Sequence, residues 1–211
     1  MNKSLRIACD GEAASGKSTG AKLVSKKYKL FLINSGLLYR YASKIIIKHK
    51  PKKIVPFLKK KFKNISYNKI KKQSLHSQEI SNHVGYLAKN KVVRDNLLTY
   101  QREFAIQDGG TVLDGRDIGT VVCPNADIKI FVDADIEIRA KRRYNQYRKN
   151  NSNLNLRDII DDLTKRDYLD KNRLLSPLVS AKDAYLLDTS NITSEDGLKK
   201  IIQIISRKLE K

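Results

Sequence analysis

The sequence predicts an α/β fold, a five-stranded parallel sheet with helices on both faces. Short apolar runs, typical of buried strands, alternate along the chain with longer segments of helical periodicity. Because helical crossovers link parallel strands and cover both faces of the sheet, this alternation favours the parallel arrangement. The chain has 211 residues, enough for one such domain with a buried core and too few for two large ones.

The predicted strands and helices follow one another in regular order. The apolar runs that indicate strands are residues 5–9, 30–33, 112–113, 128–132 and 184–187. The segments of helical periodicity are residues 17–28, 37–48, 92–106, 136–148, 156–169 and 194–209. Right-handed crossovers bring the carboxyl ends of parallel strands to one edge of the sheet, where we expect the ligand-binding loops.

Two stretches interrupt this alternation. The lysine-rich residues 48–77 show little periodicity, so we expect an inserted subdomain over residues 48–90, between the second and third strands. Polar, turn-forming residues fill positions 148–155 between two helices. They predict the tip of a helical hairpin, a lid over residues 144–158, within a single domain of residues 1–211.

A glycine-rich loop separates the first strand from the first helix. Its residues fit the pattern G-x-x-x-x-G-K-[ST], in which backbone N–H groups at a helix N-terminus bind phosphate. In such loops the lysine reaches the β- and γ-phosphates and the following hydroxyl binds Mg²⁺, roles that we assign to Lys17 and Ser18. The residues predicted to bind the nucleotide are Gly11, Glu12, Ala13, Ala14, Ser15, Gly16, Lys17, Ser18 and Thr19.

Charged side chains recur where the next two strands end. Ser35 and Arg40 follow the second strand, at the predicted binding edge. Asp114, Arg116 and Asp117 follow the third strand, which is apolar enough to be buried. Burying such charges is costly unless they pair with one another or bind a ligand. These residues are therefore candidates for a binding site at the same edge as the phosphate loop.

The predicted hairpin is rich in arginine. Arg142 and Arg143 lie on its first helix, and Arg166, Asp170 and Arg173 recur at helical spacing on its second. Phosphoryl transfer spreads negative charge over the equatorial oxygens of the transferring group, and positive side chains stabilise that charge. We expect a lid that closes positive charge onto phosphates, with Arg142 and Arg143 acting beside the lysine of the phosphate loop.

No side chain in these clusters is an evident general base. The histidines, His49, His76 and His83, lie outside them. A phosphate monoester has a second pKa of about 6 and is already nucleophilic at neutral pH, so it needs alignment, Mg²⁺ and arginines rather than a base. A nucleotide-like acceptor therefore fits better than an alcohol, although Asp117 could still serve as a base.

The composition indicates the cellular compartment. The two cysteines, Cys9 and Cys123, form neither a disulfide framework nor a zinc pattern, and no apolar run is long enough to span a bilayer. We expect a cytoplasmic protein without membrane association.

The net charge is +21, and residues 41–78 contain many lysines and no acid. A solvated lysine face and a polyanion site both explain this excess, and we favour the solvated face.

Together these motifs resemble the bacterial cytidylate kinases, which are nucleoside monophosphate kinases with the P-loop kinase fold. The most specific block is Asp114-Gly115-Arg116-Asp117-Ile118-Gly119-Thr120-Val121-Val122. The other matching segments, in the order of the family, are residues 7–11, 15–19, 34–40, 92–94, 129–134, 139–143 and 166–178. The resemblance covers nearly the whole chain.

The resemblance implies Mg²⁺-dependent transfer of the γ-phosphoryl group of ATP to CMP or dCMP. It implies that the insert binds the monophosphate, that a lid closes over ATP, and that Ser18 contributes to the Mg²⁺ site. Arg166 and Asp170 would serve the pentose of the acceptor. The residues that would surround CMP are Ser35, Arg40, Arg94, Arg116, Asp117, Arg166, Asp170 and Arg173.

The chain departs from the pattern of these kinases at a few positions. Glu12 replaces the usual proline of the phosphate loop, a change that we expect the loop to tolerate. Gly85 stands where related enzymes often have a serine, and His76 stands near a usual arginine. Two alternatives therefore stay open: a kinase of another monophosphate, such as UMP, and a basic nucleic-acid-binding protein with a vestigial phosphate loop. We expect a monomer that binds ATP and CMP or dCMP, and no nucleic acid.

Overall fold

The computed structural model describes residues 5–63, 65–148 and 155–209. Within these ranges five parallel strands form one sheet in the order β2-β3-β1-β4-β5, which confirms the predicted fold class. The strands are β1 (Arg6–Gly11), β2 (Phe31–Asn34), β3 (Thr111–Asp114), β4 (Ile128–Asp133) and β5 (Tyr185–Asp188). The central strand β1 places Cys9 beside Asp114 of β3 and Ile130 of β4. All the strands therefore end at the same edge of the sheet.

Helices connect the strands and cover both faces of the sheet. They are α1 (Lys17–Tyr28), α2 (Ser35–His49), α3 (Ile54–Phe62), α4 (Tyr67–Lys71), α5 (Gln78–Leu87), α6 (Lys91–Ala105), α7 (Ile136–Tyr147), α8 (Leu156–Asn172) and α9 (Ser194–Leu209). A π-helical turn covers Ile118–Val122. The helix α8 continues to Asn172 instead of ending at 169, so Asp170 lies on it. Arg173 follows the helix in extended backbone and is not on it, contrary to the prediction from helical spacing. None of the described helices is long and apolar enough to cross a membrane.

The insert, the segment of residues 48–90, contains the short helices α3, α4 and α5, which sequence periodicity did not predict. The helices α3 and α4 bury few apolar side chains among many lysines: α3 buries Leu58 and Phe62, and α4 buries Tyr67 and Ile70. The helix α5 contains no lysine and buries Ile80 and Leu87. Helices this short are marginal in isolation, so tertiary packing rather than local propensity stabilises them. The lysines of the segment, such as Lys60 on α3, are exposed on its outer surface.

The sheet separates two hydrophobic clusters. Adjacent residues of a strand point to opposite faces, and β3 illustrates this with Val112 and Leu113. Val112 packs with side chains of α1 and α9, whereas Leu113 packs with α2, α6 and the insert of residues 48–90. That segment therefore shares one core with the sheet. Burial of both faces explains why the strands appear in the sequence as continuous apolar runs.

Asp10 connects the central strand to the π-helical turn. Its Oδ1 accepts the N–H of Ile118 over 2.8 Å, and its Oδ2 accepts the N–H of Gly119 over 2.7 Å. Burial raises the pKa of Asp10 to about 6, and the two backbone donors oppose that rise. The carboxylate thereby fixes the turn that directly follows Arg116 and Asp117.

We expect Asp10→Asn to lower the free energy of unfolding by about 1–3 kcal/mol. An amide can accept only one of the two N–H bonds, and its own NH₂ group then faces the other donor. Urea unfolding followed by circular dichroism measures the change. The matched control is Asp108→Asn, because Asp108 is exposed in the turn before β3. Equal stabilities of the two variants would contradict the role of Asp10.

Candidate active site

The phosphate loop, residues 11–19, runs from the end of β1 into the first turn of α1. Gly11 has a φ of +145°, and a Cβ added there would lie 2.0 Å from the carbonyl oxygen of Val132 on the neighbouring strand. Gly16 precedes α1 with a φ of +91°, in the left-handed region that glycine adopts without strain. The glycines let the loop pass close to β4 and expose the N-terminus of α1, whose N–H groups and dipole attract phosphate.

Lys17 is a buried cation at this edge of the sheet. Its Nζ donates to the carbonyl oxygen of Glu12 over 3.3 Å and lies 3.9 Å from Oδ1 of Asp114, at the end of β3. Burial and, after it, repulsion from Arg116 lower the pKa of Lys17 to about 7. A phosphate anion on the loop would counter both effects. The environment of Lys17 therefore favours an anionic ligand over a neutral one.

Ser18 and Asp114 offer oxygen atoms of the kind that Mg²⁺ prefers. Ser18 is exposed on the first turn of α1, and the buried Asp114 carboxylate accepts a 2.8 Å hydrogen bond from the side-chain amide of Asn34. The described residues contain no group of three or more acids, histidines or cysteines placed so that it could hold a metal ion. This donor set suits Mg²⁺, which takes few protein ligands and completes its shell with water and phosphate oxygens. The sequence prediction named Ser18 for Mg²⁺ and gave no metal role to Asp114, an acid that ends a buried strand beside the loop.

A cavity of about 470 Å³ opens beside the phosphate loop. Gly16 and Lys17 line one wall, Arg142 and Arg143 of α7 line a second, and the segment leading into α9 lines a third. The volume lies within the range of small-molecule sites. The structure thus places Arg142 and Arg143, the two arginines predicted on the first hairpin helix, in the wall of the cavity beside the phosphate loop.

Thr189, directly after β5, is a cavity residue that the sequence prediction missed. Its hydroxyl donates to the carbonyl oxygen of Ser15 over 2.7 Å and accepts from Nη1 of Arg142 over 3.0 Å. Nη2 of Arg142 also donates to the carbonyl oxygen of Thr189 over 2.6 Å. Thr189 thereby joins the phosphate loop to α7. A single threonine after a strand forms no sequence pattern from which this role could be predicted.

A second charged cluster lies where β3 leads into the π-helical turn, and we call it the Asp117 cluster. Nη2 of Arg94, on α6, lies 2.5 Å from Oδ2 of Asp117, and Nη2 of Arg173 lies 3.8 Å from the same atom. Arg116 and Asp170 pair over 2.9 Å, and Arg173 lies 3.6 Å from Asp170. Nη2 of Arg173 is buried without a hydrogen-bond partner in the part of the chain that the structure describes. The cluster therefore keeps a buried donor available.

Two further predicted residues border the Asp117 cluster. A Cβ added at Gly115 would lie 2.6 Å from Oγ of Ser35, so this hydroxyl sits against the turn after β3. The pKa of Arg166 is lowered to about 10, mainly by desolvation and next by repulsion from Arg116. Part of Arg166 still reaches solvent, so it lies at the rim of the site. Asp170 pairs with Arg116 and not with Arg166, the partner that helical spacing favoured.

Arg40 and Arg143, two further predicted site residues, contact neighbouring groups of the protein. Nη1 of Arg40 donates to the carbonyl oxygen of Leu75 and to Oγ of Ser81, each over 3.0 Å. The guanidinium of Arg143 lies over the ring of Tyr147, 5.2 Å from its centroid. Arg40 thus connects α2 to the insert of residues 48–90. Arg143 also lines the cavity beside the phosphate loop.

Sequence comparisons give a consistent family. The family model described as "Cytidylate kinase" matches residues 7–207. A protein of Bartonella henselae named "Cytidylate kinase" is 40% identical over 194 residues, which cover 90% of this chain and 88% of that protein. A Bacillus subtilis protein of the same name is 35% identical over 223 residues, covering 99% of both chains.

Solved structures show similarity in fold at low sequence identity. A crystal structure of an uncharacterized protein from Eubacterium ventriosum has a TM-score of 0.57 at 15% identity and covers 97% of this chain and 99% of that one. A gluconokinase from Sinorhizobium meliloti has a TM-score of 0.51 at 10% identity, covering 97% and 93% of the two chains. These similarities concern the fold alone.

We expect Thr189→Val to raise the Kd for ATP about tenfold, because the carbonyl of Ser15 and the guanidinium of Arg142 lose a buried partner worth about 1–2 kcal/mol. Isothermal titration calorimetry with Mg²⁺ and ATP measures the change. Thr164→Val, at an exposed position of α8, serves as the matched control. An unchanged Kd in the Thr189 variant would show that its hydroxyl does not organise the loop.

Proposed function

The chain belongs to the cytidylate kinase family, and on that premise we propose that it transfers the γ-phosphoryl group of ATP to CMP or dCMP, giving CDP or dCDP. The observation that carries the proposal is the position of Lys17 at the sheet edge. The cavity with Arg142 adjoins the loop of Lys17, and Arg116 of the Asp117 cluster is near enough to lower the pKa of Lys17. A donor in the cavity and an acceptor in the Asp117 cluster would meet at this lysine.

The donor half of the site consists of the phosphate loop and the cavity. Backbone N–H groups of residues 11–19 would bind the phosphates of ATP, and the cavity would hold its nucleoside. Lys17, Arg142 and Arg143 would neutralise the charge that develops on the transferring group. Mg²⁺, held by Ser18 and Asp114, would supply further positive charge to the phosphate oxygens.

The acceptor half is the Asp117 cluster with Ser35, Arg40 and Arg166. Arginine binds phosphate and carboxylate groups through parallel N–H bonds, which suits a nucleotide monophosphate. The acids between the arginines reduce their mutual repulsion and hold them in fixed positions. The acceptor phosphate is itself the nucleophile, so these residues need only align it with the γ-phosphorus.

The moving parts of the enzyme belong to the same proposal. We assign the lid to residues 144–158, where α7 and α8 meet, although residues 149–154 lie outside the described part of the chain. We assign acceptor binding to the insert of residues 48–90, whose residue 64 also lies outside it. The hydrogen bonds of Arg40 to Leu75 and Ser81 support this, since they connect the insert to the acceptor side. We further propose a monomer that works in the cytoplasm.

The experiment that tests the function is an ADP-release assay with ATP, Mg²⁺ and each monophosphate in turn. Turnover with CMP and dCMP well above that with UMP and AMP supports the proposal. Selective turnover of UMP would keep the chemistry and overturn the acceptor. A Cβ at Gly85 would meet no atom within 4 Å, so Gly85→Ser can be compared in the same assay without steric conflict.

We expect Lys17→Met to reduce kcat at least about 100-fold while the melting temperature does not fall. Methionine keeps the length of the side chain but removes the charge next to the phosphates. It also removes a buried cation whose lowered pKa shows that burial disfavours its charged form. The ADP-release assay and thermal unfolding measure the two effects. Lys22→Met, an exposed position of α1, is the control, and near-normal turnover of the Lys17 variant would remove the central role of this lysine.

We expect Asp170→Asn to raise the KM for CMP about tenfold and to leave the KM for ATP within about twofold. The substitution breaks the ion pairs with Arg116 and Arg173 on the acceptor side, whereas the cavity beside the phosphate loop keeps its residues. Steady-state kinetics with each substrate varied in turn separate the two constants. Asp161→Asn changes the same charge at an exposed position of α8. Equal effects on both constants would show that the acceptor site lies elsewhere.

A further inference from the structure

Glu12 places a buried carboxylate inside the phosphate loop, and the proposed function gives it no role. Its side chain is only 5% exposed. A negative charge on a loop that binds polyphosphate opposes binding, because like charges repel, and they repel more strongly in a partly buried site than in water. The carboxylate must therefore be compensated or serve a second purpose.

Two cations from different helices meet this carboxylate. Nη2 of Arg139, on α7, lies 2.8 Å from one Glu12 oxygen, and Nζ of Lys171, near the end of α8, contacts the other. Arg139 is buried, whereas the side chain of Lys171 is 53% exposed. Arg139 also donates to Oδ2 of Asp167 on α8. We call Glu12, Arg139, Asp167 and Lys171 the loop–hairpin network; it contains two acids and two cations.

The network joins the phosphate loop to both helices of the hairpin. Arg139 donates in addition to the carbonyl oxygens of Ala13 in the loop, over 3.3 Å, and of Ala134, over 2.7 Å. Lys171 is the residue after Asp170, which belongs to the Asp117 cluster. Holding Lys171 on Glu12 thus fixes the end of α8 relative to the loop. The donor and acceptor halves of the site meet through this contact.

We propose that Glu12 is a positioning residue that fixes the end of α8 to the phosphate loop, and that Lys171 neutralises it so that the loop retains its attraction for nucleotide phosphates. The part of this proposal that concerns the acceptor rests on the proposed function, which identifies the acceptor. The part that concerns binding of the donor nucleotide does not depend on it. Without Lys171, Glu12 and Asp167 share the single charge of Arg139, and the loop–hairpin network carries an excess of negative charge beside the phosphate loop. Without Glu12, the loop has no excess negative charge, but the end of α8 loses its anchor.

The test is a double-mutant cycle of Glu12→Gln and Lys171→Gln, with Lys165→Gln as the control that removes the same charge from an exposed position of α8. The Kd for ADP with Mg²⁺ is measured by calorimetry without acceptor. We expect Lys171→Gln to raise this Kd about tenfold, which corresponds to about 1.4 kcal/mol. Adding Glu12→Gln to Lys171→Gln should bring the Kd back to within about twofold of the wild type.

Kinetics test the positioning half of the proposal. Glu12→Gln alone should raise the KM for CMP about five- to tenfold without raising the KM for ATP. The end of α8 loses its anchor, whereas Arg139 still ties α7 to the phosphate loop through the carbonyl oxygen of Ala13. A residue with a purely structural role would give additive losses, so a double variant that binds ADP more weakly than Lys171→Gln would overturn the proposal. An unchanged Kd in Lys171→Gln would overturn it as well. Since Lys171 is half exposed, its variant remains informative even if Glu12→Gln folds poorly.

The cycle also separates this proposal from the proposed function. Rescue of ADP binding in the double variant, in a protein that turns over no CMP, would support the neutralising role of Lys171 and overturn the proposed acceptor. Turnover of CMP in a protein whose ADP binding does not follow the cycle would support the proposed function and overturn the role of Glu12.

Discussion

The common direction of the strands is the constraint on which the site depends. Because all the described strands are parallel, β1, β2 and β3 end at one edge with Gly11, Asn34 and Asp114. The close approach of Gly11 to the carbonyl of Val132 then sets where the phosphate loop leaves the sheet. Lys17, the cavity and the Asp117 cluster all take their positions from this edge. An antiparallel arrangement would divide the same residues between two ends of the molecule.

Charge neutralisation by pairing is the second organising feature. Buried acids stand opposite buried cations in both halves of the site: Asp117 opposite Arg94, and Glu12 opposite Arg139. Isolated charges at such depth would be costly, whereas pairs hold side chains at defined positions. The positive charge of Lys17 is compensated less well. Oδ1 of Asp114 lies 3.9 Å from Nζ of Lys17, and the pKa of Lys17 is lowered to about 7. A nucleotide phosphate bound at the phosphate loop can supply the negative charge that Lys17 lacks.

Much of the fold was predictable because its signals are local. Strands buried on both faces appear as apolar runs, and the long helices keep the spacing of their apolar residues. The helices α3 and α4 were not predicted, since each has too few turns for a period to show among the lysines. The ten-residue α5 was also not predicted, although it contains no lysine. In the site, the motif around Lys17 and the acids after β3 were visible in sequence. Thr189 and the partners of Glu12 were not, because contacts between distant segments leave no local pattern.

The sequence by itself determined the alternation of strands and helices, the phosphate loop, the family, and the residue types at the sheet edge. Those properties depend on short-range spacing and on residues such as Gly11 that no other side chain can replace. Only the tertiary structure decided which charges pair: Asp170 contacts Arg116 and not Arg166, and Glu12 meets Arg139 and Lys171. Helical spacing limits which partners can meet on one helix. The partner actually chosen depends on how separate elements pack, and the burial that makes these pairs strong arises only from that packing.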